Sequence, residues 1–183
     1  MAKVILDTTL TYREYCLIPD DGKRHEILEG IHHMTPAPRP PHQDTSKGLF
    51  TILFVYFEKG RGGKVYYAPI DVILTDKDVV QPDLVVVMQL TQISGRGIEG
   101  PPLLIVEILS PSTIEYDRRV KAKRYAELGV PHYWIADPET RTLECYKNEG
   151  GRYVLCASGR DRETVTHPDF PGLDITLPSV WPA

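Results

Sequence analysis

Two acidic residues of this chain stand where acids are costly. Asp83 heads the run Asp-Leu-Val-Val-Val, and Glu107 lies inside Leu-Leu-Ile-Val-Glu-Ile-Leu. An unpaired buried charge costs several kcal/mol, so each carboxylate must be paired, protonated or bound to a metal. Taken singly, either acid could be a salt-bridged strand residue or one that points outward at a sheet edge. The segment after Glu107 changes the weighing. It runs through Ser110-Pro-Ser into a basic stretch containing Arg118, Arg119, Lys121, Lys123 and Arg124. In helical geometry Ile114, Asp117, Lys121, Tyr125 and Leu128 follow spacings of 3, 4, 4 and 3 and share one face. Lys121 therefore sits in a stripe with apolar ends, which packs on a sheet and aims an ammonium toward the Glu107 strand. Lys123 lies on a second, partly apolar stripe with Tyr116, Val120 and Ala126, so the wheel alone does not choose between the lysines.

Two carboxylates and a lysine at one point can hydrolyse a phosphodiester. Hard carboxylate oxygens hold Mg²⁺, which keeps several waters. The metal polarises the phosphate and lowers the pKa of a bound water. An ammonium beside it orients that water and offsets charge on the phosphorane.

The elements that must position these groups follow from apolar spacing and punctuation. A short helix is expected at 11–16, a turn at 19–22, and a strand at 26–30 that enters a tight bend. After a proline-rich loop at 36–41, apolar positions 49, 50, 53, 54 and 57 predict a helix over 42–58, with Gly60 as its stop. Strand segments follow at 64–68 and 71–74, split by Pro69, and then at 83–88 and 103–109. The last two are almost continuously apolar, as in a sheet covered on both faces. A helix over 113–128 carries a Ser112/Glu115 capping-box pattern, Gly129 at its end and Pro131 beyond. Strands are expected at 132–136, 142–146 and 153–157, and a final segment ends near Trp181. This order implies a mixed α/β sheet with helices packed on it.

Composition narrows the function classes. The chain has 183 residues, 42% apolar and 25% charged, which suits one domain over 1–183 with a full core. No apolar run approaches the roughly 20 residues needed to span a bilayer, and Met1–Asp7 is too short and too early in acid for a signal peptide. Cys16, Cys145 and Cys156 form no CxxC pair and read as reduced thiols, the last two half-buried in strands. Nothing points away from the cytoplasm or toward a membrane. A net charge of −4 argues against coating nucleic acid by bulk charge, but leaves a local basic surface at 118–124, or simply a solvated helix face.

Taken together, Gln81-Pro-Asp-Leu-Val-Val-Val87, Val106-Glu-Ile-Leu-Ser-Pro-Ser112, Asp117–Lys121 and Tyr125–Trp134 resemble the Uma family of restriction endonucleases, within the PD-(D/E)xK nuclease superfamily. His25-Glu-Ile-Leu-Glu-Gly30, His42-Gln43 and Pro69-Ile-Asp-Val72 extend the resemblance over about 10–180. It implies a restriction-endonuclease-like fold: a mixed β-sheet core flanked by helices. It also implies Mg²⁺-dependent cleavage of DNA, with Mn²⁺ as a substitute, and a homodimer that cuts both strands. Asp83 and Glu107 become the metal-binding acids, with the backbone carbonyl of Ile108 as a further ligand. The superfamily pattern expects lysine two residues after the acid, where this chain has Leu109; in the family that lysine has moved to the following helix, and Lys121 occupies the matching position. Glu26 resembles an additional acid beside the metal, with an exposed strand acid as the alternative. Asp71 and His42 match family positions without an assigned role. Two rival functions stand beside this one: a nucleic-acid-binding or assembly protein that keeps the fold without catalysis, and a hydrolase of small phosphoesters. His32-His33 reads as a loop pair, and Tyr66-Tyr67 and Tyr133-Trp134 as packing rather than base stacking.

Overall fold

The computed structural model describes residues 9–182, so the reading of Met1–Asp7 lies outside it. In chain order, α1 (Tyr12–Tyr15) precedes a hairpin of β1 (Arg24–Leu28) and β2 (Ile31–Thr35). Next comes α2 (Pro40–Leu53), prolonged by a wider π-helical turn over Phe54–Lys59. Strands β3 (Lys64–Tyr67), β4 (Val72–Thr75), β5 (Asp78–Val80) and β6 (Leu84–Val87) follow, then a small hairpin of β7 (Ile93–Ser94) and β8 (Gly97–Glu99), and β9 (Leu104–Ile108). The basic segment is π-helical over Tyr116–Lys121 and α-helical over Ala122–Glu127, here α3. Strands β10 (His132–Asp137), β11 (Thr142–Asn148) and β12 (Tyr153–Arg160) precede a last hairpin of β13 (Thr164–Thr166) and β14 (Asp174–Thr176).

The strands form two six-stranded mixed sheets, ordered β2-β1-β5-β4-β8-β7 and β12-β11-β10-β9-β6-β3, with β13-β14 apart. In the second sheet β9 and β10 are parallel. Parallel neighbours need a crossover, and the 116–127 helix supplies it, which lays that helix across the sheet. Leu84, Val86, Leu104, Val106, Trp134 and Ala136 pack on one face with Leu49 and Leu53 of α2. Val85, Val87, Ile105, Tyr133 and Ile135 pack on the other with Tyr125 of α3 and with Leu28, Val72 and Val80 of the first sheet. The central strands are thus covered on both sides, as their apolar runs require, and burying each such aliphatic side chain contributes about 1.5–3 kcal/mol.

Several local expectations need correction. The first strand pair is longer than expected: His32 and His33 lie in β2, where burial does not alternate cleanly and so left no period-2 signal. Strands β5, β7, β8, β13 and β14 have only two or three residues each, too few for any pattern to register. The segments at 64–67 and 72–75 belong to different sheets. The Ser112/Glu115 capping box does not form. Ser112 instead shares a hydroxyl contact with Ser110, and Glu115 pairs with Arg119. Gly129 does end the helix, in the left-handed region at φ 83°. Cys145 is fully buried rather than half-buried, and Cys156 is half-buried. Among the described residues no helix is long and apolar enough to cross a membrane.

Gly48 in α2 touches the C-terminal segment so closely that a Cβ there would lie 2.6 Å from Ser179 O and 2.7 Å from Val180 Cα. Both neighbours are backbone, so neither yields by rotating a side chain. Gly48→Ala is expected to destabilise the fold by about 1–3 kcal/mol in urea titrations, despite alanine's better helix propensity. A raised midpoint would show that this packing is looser than described.

Candidate active site

Antiparallel pairing of β6 and β9 matches Leu84 with Val106. Continuing that register by one residue sets Asp83 opposite Glu107 on the sheet face that the 116–127 helix covers. Directly opposed residues have Cβ atoms about 4.5–5.5 Å apart, so the strands alone bring these two acids together.

Both are buried, at 5% and 3% exposure, and each is satisfied differently. Asp83 Oδ2 accepts hydrogen bonds from the Ile108 amide at 2.8 Å and from His42 Nε2 at 3.0 Å, while Oδ1 accepts one from Arg24 at 2.8 Å. Burial opposes ionisation of Asp83, but the His42 hydrogen bond and the Arg24 charge outweigh it and hold its pKa at about 2. Glu107 Oε1 accepts from Lys121 Nζ at 3.0 Å and from the Tyr125 hydroxyl at 3.1 Å. Its Oε2 receives no hydrogen bond among the described residues.

Lys121 is 4% exposed and is the hub of the cluster. Its Nζ donates to Glu26 Oε1 at 3.1 Å and stands 3.7 Å from Asp117 Oδ1. Glu26 Oε2 is 3.0 Å from the same ammonium but off the direction of a hydrogen bond. Glu26 comes from the first sheet, and its Oε1 also accepts from the Gln81 amide at 2.7 Å. Burial disfavours the Lys121 charge, yet Glu107, Glu26 and Asp117 together keep the amine protonated well above its usual range. Burial raises Glu107, and it pushes Asp117 up to about 6. One ammonium faces three buried carboxyl groups, too few cations for three anions, and the upward shifts of Glu107 and Asp117 reflect that shortage.

These groups wall a cavity of about 470 Å³ whose lining includes Arg24, Asp83, Glu107, Asp117 and Lys121. A second cavity of about 590 Å³ shares Arg24, His42 and Asp83 and continues past Lys47, Phe50 and Tyr67. The two form one groove over Asp83. Tyr67 is 63% exposed there, against the expectation that it packs inside.

The structure brings Asp83, Glu107, Lys121 and Glu26 together, and it places Ile108 at the same cavity. Glu26 is 1% exposed, so the alternative of an exposed strand acid fails. Lys123 points out, with its side chain 78% exposed. Sequence reasoning missed Arg24, whose signal was its place two residues before Glu26, on the same strand face. It left His42 without a role and noted Asp117 as part of a stripe and of a family-like segment, with no role of its own. Among the described residues no three His, Cys, Asp or Glu side chains are grouped to hold a metal. The donor set still suits Mg²⁺, which needs one or two carboxylates and takes its remaining ligands from substrate and water. Glu107 Oε2 is free for it, whereas Asp83 would have to give up Arg24 or His42.

The model of the Uma2 family, described as "Putative restriction endonuclease", matches residues 11–178. Among solved structures, the crystal structure of a putative nuclease belonging to DUF820 from Anabaena variabilis is similar in fold, with a TM-score of 0.75. That match covers 93% of this chain and 97% of the other at 18% identity. The restriction-endonuclease-like α/β arrangement expected above is therefore the fold observed. No curated protein matches the chain.

The raised Asp117 pKa has a stability consequence. Its folded value of about 6 lies above the ordinary 3.8, so between these the folded state binds the extra proton. Stability is then highest below the lower value and falls as pH rises through the upper one. The wild type is expected to resist urea better at about pH 5 than at about pH 7.5, with Asp117 contributing roughly 1–1.5 kcal/mol of the difference. Asp117→Asn should shrink that difference, leaving the part due to Glu107. An equal pH dependence in both proteins would show that Asp117 is not the titrating group.

Proposed function

We propose a function from an established membership: the chain belongs to the Uma2 family, and its acidic groove is a metal-dependent phosphodiesterase site acting on DNA. The observation that carries this reading is the opposition of Asp83 and Glu107 across one strand pair, with the Lys121 ammonium 3.0 Å from Glu107. Asp83, Glu107 and the Ile108 carbonyl would hold Mg²⁺, or Mn²⁺ in its place. When bound, that ion supplies Lewis-acid polarisation of the phosphate and a more acidic water.

The chain's own residues do the rest. Lys121, pinned by Glu26, Asp117 and Tyr125's partner Glu107, cannot swing away. Its ammonium orients the attacking water and stabilises negative charge as the P–O ester bond breaks. Arg24 and His42, once released from Asp83, face a phosphate entering the groove, and Arg24 can hold two of its oxygens at once. Asp83 stays ionised throughout the physiological range and keeps its affinity for a cation. Duplex cleavage would use two copies of the site, hence a homodimer. Action in the cytoplasm accords with three free cysteines. One observation favours a non-cleaving, nucleic-acid-binding protein instead: both oxygens of Asp83 are already engaged by Arg24, His42 and the Ile108 amide.

The test is cleavage of supercoiled plasmid and of single-stranded DNA with Mg²⁺ or Mn²⁺, alongside calorimetric titration of Mn²⁺. Glu107→Gln is expected to abolish Mn²⁺ binding and to lower cutting by about 100-fold or more. Lys121→Gln should lose activity and, because it strips Glu26, Glu107 and Asp117 of their cation, unfold at lower urea while still showing a folded circular-dichroism spectrum in its absence. Lys123→Gln should hydrolyse a small chromogenic phosphodiester like the wild type. DNA binding without metal and without cutting would favour the non-cleaving reading. Turnover of a chromogenic phosphodiester without DNA cleavage would point to small substrates.

A further inference from the structure

The helix that carries Lys121 into the catalytic groove has a second working face. Asp117, Lys121 and Tyr125 are buried, whereas Arg118, Arg119 and Lys123 turn to a separate cavity of about 310 Å³. Arg152, from the turn between β11 and β12, completes its cationic wall, and Tyr146 and Tyr153 also line it. Its lining contains no carboxylate. In a chain of net charge −4, this concavity gathers four cationic side chains, whose carboxylate partners lie outside its lining.

The state of each cation decides what the cavity can take. Arg118 is fixed by its ion pair with Glu144. Arg119 and Lys123 make only exposed ion pairs along the helix, with Glu115 and Glu127. Such exposed pairs are worth little and exchange readily for a better anion. Arg152 makes no ion pair among the described residues. Tyr153 is held rigidly, its hydroxyl donating to Val130 O at 3.0 Å and its ring stacked on Tyr133. Cations at a rim and fixed aromatic rings within are the two components that hold a nucleic-acid strand: phosphates meet the charges, and an unstacked base meets a ring.

We infer that this cavity is an auxiliary site for single-stranded nucleic acid, contacted through the phosphates by Arg119, Lys123 and Arg152 and through a base by Tyr146. It deepens the nuclease reading, because one helix would then hold a strand on one face and present Lys121 to it on the other. A duplex does not fit the same way, since its bases are stacked and unavailable to a recessed ring.

The experiment measures binding without catalysis. Fluorescence anisotropy follows a labelled single-stranded DNA of about 20 nucleotides, in EDTA, across a salt series. The triple variant Arg119→Gln, Lys123→Gln and Arg152→Gln changes only exposed side chains, sets no like charges beside Glu115 or Glu127, and should keep a melting temperature close to that of the wild type. It is expected to bind at least about 10-fold more weakly, with the slope of log affinity against log salt shallower by about 2, as loss of three single-strand phosphate contacts requires. Tyr146→Ala should weaken binding about 5-fold or more while leaving the slope unchanged. Hydrolysis of a small chromogenic phosphodiester should be the same in all three proteins. An unchanged affinity and slope in the triple variant would overturn the assignment, as would an equal loss for duplex DNA of the same length. Weaker strand binding by the variant in a protein that cuts nothing would sustain this site while ending the nuclease reading.

Discussion

The arrangement depends on one buried ammonium. Lys121 sits 4% exposed among Glu26, Glu107 and Asp117, and none of the four could be buried without the others. Taking such charges out of water costs several kcal/mol each, and their attraction repays it only with close geometry. That geometry draws on three separate parts of the chain: the first sheet for Glu26, the second for Glu107, and the crossover helix for Asp117 and Lys121. The cluster therefore fastens the two sheets and the helix to a common point. Replacing it with aliphatic side chains could leave the fold as stable or more so. Stability alone therefore gives no reason for such a cluster in an otherwise apolar core, which accords with the role proposed for it.

Asp83 presents the complementary case. It is as buried as Glu107 but is surrounded by donors, so it stays ionised while Glu107 is driven upward. Two acids facing each other across a strand pair thus have their affinities for protons pushed apart. Asp83 is a permanent anion already balanced by Arg24 and His42. Glu107 holds a proton to higher pH than an ordinary carboxyl and keeps one oxygen uncommitted. An entering cation meets one site that requires displacement of an arginine and another that is open. This asymmetry makes Arg24 part of the site's electrostatics rather than a bystander.

Much of this was legible in the residues because burying acids has a visible cost. Asp83 and Glu107 stood out against their Val, Leu and Ile neighbours, and the stripe through Asp117, Lys121 and Tyr125 named the helix face that turns inward. What remained hidden was of two kinds. Strands of two or three residues, such as β5 at Asp78–Val80, have no period to read, and the exposed, unpatterned β2 has none either. Pairings between distant segments were also hidden, as with Arg24 and Asp83, which are 59 residues apart. No local rule joins these two, and only the placing of the first sheet beside the second does so. The choice between Lys121 and Lys123 lay between these kinds. Both positions have partly apolar stripes, and the choice is fixed by which face the β9–helix–β10 crossover turns to the sheet.

That crossover also accounts for Leu109. A lysine there would be two residues beyond Glu107 on the same strand, and alternation would put both side chains on one face. Leu109 instead is 3% exposed and packs in the apolar cluster that includes Tyr125. The ammonium arrives from above, on the helix, and still comes within 3.0 Å of Glu107. The proposed hydrolysis needs a cation at a point, not at a sequence position. The wider π-helical turn at Tyr116–Lys121 shifts the helix's register just where Lys121 leaves it, and such turns recur at functional sites. With the ammonium supplied from the helix, Leu109 is left to pack, and the apolar run continues beneath the acids. The same shift leaves Arg119 and Lys123 on the far side, where their exposed ion pairs can exchange for a partner of opposite charge.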